Sequence, residues 1–139
     1  MSVYHVTSKL LAEGAQVLTT AGSHQYLTDE PVTSNGTDKA PNPVQYLLGS
    51  LGTCLAITVR SQARKRHIEV TSFEVTVTGN LEMGGLRDSS IHNQFTAITY
   101  HVQMKTNLTP AAQNDFLADC VALCPVHGTL EVAVPITEN

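Results

Sequence analysis

From Phe73 the chain alternates strictly, with Phe73, Val75 and Val77 apolar and Glu74, Thr76 and Thr78 polar. A period of two turns one set of side chains to a core and the other to solvent, so the stretch predicts a β-strand. Ile98, Tyr100, Val102 and Met104 repeat the pattern. Between them Met83-Gly84-Gly85 opens a polar connection that runs through Asn93, so the two strands are expected to pair as a hairpin with a long loop. The first third of the chain carries three shorter β-prone runs, Val3 to Leu11, Ala15 to Thr20 and His24 to Thr28. They predict a small antiparallel meander. Asp29-Glu30-Pro31 ends it, and Ser34-Asn35-Gly36-Thr37 supplies the turn chemistry of a loop over 32–40.

Two segments change to the helical pattern. The first runs from Pro43 to about Arg66, with Asn42 as N-cap and Pro43 at the position where its missing N–H costs nothing. Its first four turns are apolar almost all round, which predicts a helix buried centrally. Gly49, Gly52 and Ala56 make it locally thin, and each glycine costs roughly 1 kcal/mol of propensity, so a close approach by the second helix is expected to compensate. Arg60, Arg64, Lys65 and Arg66 place positive charge at the negative end of the helix dipole. The second helix starts at Thr109-Pro110 and runs to about Cys124, where Pro125 stops it. Thr129 to Ile136 then reads as a final strand.

The length of 139 residues is expected to form a single domain over 1–139. Only 14% of residues are charged against 42% hydrophobic, which hints that some surface is hidden between subunits. The formal net charge of -4 argues against nucleic acid and anionic lipid as partners, and favours the dipole explanation of the basic cluster over a phosphate-binding one. Met1-Ser-Val-Tyr-His-Val lacks the basic start and apolar run of a signal peptide, so a cytoplasmic location is expected. The most apolar stretch, Tyr46 to Val59, is broken by Gly49, Ser50, Gly52 and Thr53 and falls short of the ~20 residues of a membrane span.

Three cysteines in such a chain argue against a structural disulfide framework and for thiol chemistry, metal binding or core packing. Steps of four residues along the first helix put Ser50, Cys54 and Thr58 on one face. That stripe fits a thiol site. It fits equally a small buried cysteine between hydroxyls that bond the preceding turn. Cys124 stands where a helix stops and the chain turns, an accessible place for a thiol. Cys120, Cys124 and His127 form a C-x3-C-x2-H pattern, but a structural zinc wants a fourth ligand and the other histidines are scattered singly. Neither a metal nor another cofactor is therefore expected, and Cys120 reads as a core residue.

The segment Asn42-Pro-Val-Gln-Tyr-Leu-Leu-Gly-Ser-Leu-Gly-Thr-Cys54, taken with Cys124-Pro-Val-His-Gly-Thr-Leu130, resembles the two signature regions of the OsmC/Ohr family. The Asp29-Glu30-Pro31 run is more similar to the uncharacterised OsmC-like branch than to either named peroxidase branch. The resemblance implies an α+β fold in which antiparallel sheets surround two central helices of an intertwined homodimer, with two sites at the subunit interface. It also implies a stress-response peroxidase that reduces organic hydroperoxides, Cys54 attacking and Cys124 resolving, with an external thiol as reductant. The sequence departs from that pattern twice. The family's N-P-E motif reads Asn42-Pro43-Val44, and no arginine precedes Arg60, where peroxidase members carry one in the N-terminal region. Gln45, Ser50, Thr58, Glu30 and His127 are the candidates for supporting roles. The alternative is a non-catalytic relative that binds an apolar or thiol-reactive ligand at the interface, or senses oxidants there.

Overall fold

A computed structural model describes residues 1–132 and 134–138. The chain divides into two compact units, Met1–Leu47 and Leu48–Asn139. In the first, strands β1 (Thr7–Leu10), β2 (Val17–Ala21) and β3 (His24–Thr28) form an antiparallel sheet in the order β1-β2-β3. The expected meander is present, with β1 shorter than the β-prone run that announced it. Ala21 pairs with His24, which leaves Gly22-Ser23 as a two-residue turn, and Gly22 supplies the positive φ of 62° that such a turn favours.

The loop after β3 is organised by one carboxylate. Asp29 is 1% exposed, and its side chain accepts hydrogen bonds from the backbone N–H groups of Glu30, Thr37 and Lys39 and from the Thr37 hydroxyl. The Thr37 hydroxyl bond, opposed by burial and helped by the three N–H groups, lowers the Asp29 pKa to about 2. A depressed carboxylate adds stability above its unfolded pKa and loses it as pH falls through the folded value. The loop should therefore loosen between about pH 4 and pH 2. Protection of the Thr37 and Lys39 amides, measured relative to free-amide exchange at each pH, should fall over that range in the native protein, and in Asp29→Asn should be low already at neutral pH. Gly36 closes the same loop, because a Cβ there would overlap the backbone carbonyl of Glu30.

Helix α1 (Pro43–Arg66) begins with a reciprocal capping box: the Gln45 N–H donates to the Asn42 side chain at 2.9 Å, and the Asn42 N–H donates to Gln45 Oε1 at 2.9 Å. The boundary between the two units falls within this helix, after Leu47. Strands β4 (Val70–Glu82) and β5 (Gln94–Thr106) form the expected hairpin, with Phe73 opposite Met104, Val75 opposite Val102 and Val77 opposite Tyr100. Helix α2 (Pro110–Ala122) starts as predicted, its Thr109 hydroxyl accepting from the Ala112 N–H at 3.3 Å.

Three expectations are corrected. The stretch that read as a final strand over 129–136 begins inside a helix, α3 (Pro125–Glu131), and 134–136 have no regular structure; Ala133 lies outside the described residues. Pro125 does stop α2, but it also takes the first position of α3. Second, α1 is not buried all round by its own chain. Leu51, Leu55, Val59 and Ala63 form a single covered stripe, while Ile57 is 69% exposed. Third, the small residues do not admit α2. A Cβ on Gly52 would meet Val75 and Val77 of β4, and one on Gly49 would meet nothing within 4 Å. Helices α1 and α2 meet instead through Val59, Ala63, Phe116 and Cys120.

Candidate thiol site

Cys54 and Cys124, 70 positions apart, meet with 3.0 Å between their sulfurs, and both are free thiols. Helix α1 carries Cys54 one position before the buried Leu55. The α2–α3 corner carries Cys124, which packs with Leu51 and Leu55 in one core cluster. Cys124 is 2% exposed and caps α3, its sulfur accepting from the His127 N–H at 3.5 Å. Burial pushes the Cys124 thiol above its ordinary value, and the bond it shares with Cys54 adds to that; the N–H groups of His127 and Val126 pull the other way.

Cys54 is half-buried and opens on a groove of about 630 Å³. Ser50, Cys54 and Thr58, the stripe read from the sequence, line one wall, and Leu123, Pro125 and Val126 contribute the other. The Thr58 hydroxyl donates to the Cys54 carbonyl at 2.8 Å, so it braces the helix turn that carries the thiol. Gln62, one further step of four along the same face, also lines the groove and escaped the sequence reading. Among the described residues the groove wall contains no Arg, Lys, His, Asp or Glu.

The other candidate helpers have bonds of their own. Gln45 spends its side-chain oxygen on the capping box, and the Glu30 backbone is tied into the Asp29 loop, its N–H donating to Asp29 and its carbonyl accepting from Asp38. His127 offers Cys124 its backbone N–H, while its ring lies 3.4 Å from the Glu131 carboxylate in a separate cavity. Cys120 is fully buried in the cluster with Val59, Ala63 and Phe116, apart from the cluster that holds Cys124. Among the described residues no group of three His, Cys, Asp or Glu side chains is gathered for a metal ion. Nor is any helix among them long and apolar enough to cross a membrane. In the basic cluster, Arg66 pairs with Asp119 at 2.7 Å and lies over the Phe116 ring, which ties the end of α1 to α2.

Two juxtaposed thiols, one in a groove and one beneath it, define a dithiol site on an α+β scaffold. The family model for OsmC-like proteins matches residues 36–139, and the chain belongs to that family. Among solved structures, an OsmC-like protein from Mycoplasma pneumoniae superposes with a TM-score of 0.81 at 21% identity, covering 94% of this chain and 88% of that one. An organic hydroperoxide resistance protein OsmC from Legionella pneumophila gives a TM-score of 0.68 at 17% identity, over 94% of this chain and 90% of that one. One from Elizabethkingia anophelis gives 0.67 at 14% identity, over 92% and 87%. At these identities the likeness establishes the fold. No curated protein matches the chain in sequence.

Proposed function

We propose that the protein reduces organic hydroperoxides through the Cys54–Cys124 pair. The observation that carries this reading is the 3.0 Å approach of the two sulfurs, with only Cys54 lining the groove. The Cys54 thiolate attacks the distal oxygen of R–O–O–H; the O–O bond breaks, the alcohol leaves, and Cys54 becomes a sulfenic acid. Cys124, as thiolate, then attacks the Cys54 sulfur, forming a disulfide and releasing water. An external dithiol reduces the disulfide by exchange and carries away the two electrons. The hydroxyls of Ser50 and Thr58 and the carboxamide of Gln62 give the groove its polar side, while Ile57, Leu123 and Val126 suit the organic part of the substrate. Steady-state consumption of cumene hydroperoxide with dithiothreitol as reductant tests the proposal; saturable turnover dependent on both reagents supports it, and none at neutral or alkaline pH refutes it.

Burial, the main cause that raises the Cys124 pKa, persists once Cys54 is oxidised and sets the pH dependence of the second step. Thiolate is scarce below a thiol's pKa, so closure of the disulfide should quicken by about tenfold for each pH unit in that range. Stopped-flow measurement of disulfide formation between pH 6 and pH 9 should show this rise, and a flat profile would contradict the assignment of Cys124 as attacking thiol.

The lack of a charged side chain among the described residues of the groove wall favours a second reading, a family member that binds an apolar ligand there without turnover. Stoichiometric ligand binding with no hydroperoxide consumption would select it. Under either reading we propose a homodimer with the grooves at its interface. Ile57 and Leu123, 69% and 53% exposed, lie on the groove wall, and Val134 and Ile136 are exposed beyond α3. A second copy would cover such surface. Sedimentation at low micromolar concentration should give one species of twice the chain mass; a stable monomer would overturn the dimer.

A further inference from the structure

A second cavity, of about 320 Å³, lies between β5 and α3 and shares no lining residue with the Cys54 groove. Its volume is in the range of small-molecule sites. Phe95, Ile98 and Tyr100 line it from β5, and His127, Leu130 and Glu131 from α3, with Leu51 of α1 completing the wall. Tyr100 and His127 meet edge to face, their ring centroids 6.1 Å apart.

Among the described residues this wall contains no Lys or Arg, and Glu131 supplies its one carboxylate. The nearest counter-group to that carboxylate is His127, whose Nδ1 stands 3.4 Å from Oε2, an ion pair only when the ring is protonated. That separation exceeds an ordinary N–H···O bond, so Glu131 retains capacity for another cation. Tyr100 and Phe95 put two aromatic rings in the wall, and a ring's face carries the negative side of its quadrupole, which attracts cations and repels anions. One carboxylate and one imidazole are too few protein ligands for a zinc site, while Leu51, Ile98 and Leu130 offer surface that a hydrocarbon-bearing ion uses and a hydrated metal does not.

We infer that this cavity binds a small organic ammonium ion, its charge set against Glu131 and the Tyr100 ring, its alkyl groups against Leu51, Ile98 and Leu130. The inference is independent of the thiol chemistry, since neither Cys54 nor Cys124 lines the cavity.

Choline is the probe, and its neutral isostere 3,3-dimethyl-1-butanol the control, each titrated into the full chain while the ring resonances of His127 and Tyr100 are followed by NMR. Choline should shift both rings saturably by about 50 mM, the neutral isostere should bind at least about fivefold more weakly, and Glu131→Gln should weaken choline binding to a similar degree. Glu131 is exposed near the end of a short helix, and an unchanged far-ultraviolet spectrum would show that the variant folds. Shifts no larger than those given by sodium chloride at equal ionic strength would overturn the inference. So would equal binding of the neutral isostere, or unchanged choline affinity in the folded Glu131→Gln variant.

Discussion

Replacing Cys54 with serine should lower hydroperoxide turnover by about a thousandfold or more, because a serine hydroxyl is almost wholly protonated at neutral pH and forms no sulfenic acid. Replacing Cys124 should fail differently. Cys54 remains in the groove, so with no thiol reductant present Cys124→Ser should consume about one equivalent of hydroperoxide per chain and then stop, with Cys54 held as a sulfenic acid that dimedone traps. The pair of outcomes separates the roles. If Cys54→Ser kept turnover and Cys124→Ser lost the single equivalent, the attacking thiol would be Cys124. Both are tolerable changes in volume, although Cys124 is the more buried and its variant needs a melting curve beside the assay.

The second large effect is on stability. Leu55 is 0% exposed and packs in one cluster with Leu51 and Cys124, joined by Val75 and Val77 of β4. Truncation to alanine removes three buried carbons and leaves a cavity that the strand and helix only partly fill, at a cost of about 3 kcal/mol. Urea unfolding of Leu55→Ala should show a lower midpoint at an unchanged slope. A loss below about 1 kcal/mol would mean that the cluster collapses freely into the vacated space.

How far the sequence disclosed this structure depended on whether the signal was local. The start of α1 was legible because Asn42 and Pro43 carry their own start signal, and β4 and β5 because strict alternation survives whatever packs against them; the Gln45 half of the capping box went unread. Helix α3 was not legible. Cysteine is an unusual cap, and Gly128 followed by Thr129 and Val132 opposes a helix on propensity, so packing of Val126 against the Leu51, Leu55 and Cys124 cluster outweighs the local preference. The glycines of α1 misled for a similar reason: thinness in a helix says that something is near, not whether it is a strand or a helix, and the Gly52 neighbour is β4.

The site was half legible. Ser50, Cys54 and Thr58 could be placed on one face by counting in fours, and one more step would have added Gln62. That Cys124 would reach Cys54 could not come from spacing at all; the family resemblance supplied it, and the sulfur–sulfur distance agrees. Asp29 was passed over as a strand-ending residue, although an aspartate ahead of a loop rich in Ser, Thr, Asn and Gly is well placed to collect loop N–H groups.

The central claim is that Cys54 and Cys124 are a redox pair. The most direct test treats the reduced protein with one equivalent of organic hydroperoxide, quenches it by denaturing alkylation, and maps the thiols by peptide mass spectrometry. The account predicts a mass lower by two hydrogens, a peptide linking Cys54 to Cys124, and Cys120 alkylated as a free thiol. Cys54 recovered as alkylated thiol after the hydroperoxide is consumed, or a disulfide that includes Cys120 in place of either partner, would contradict it.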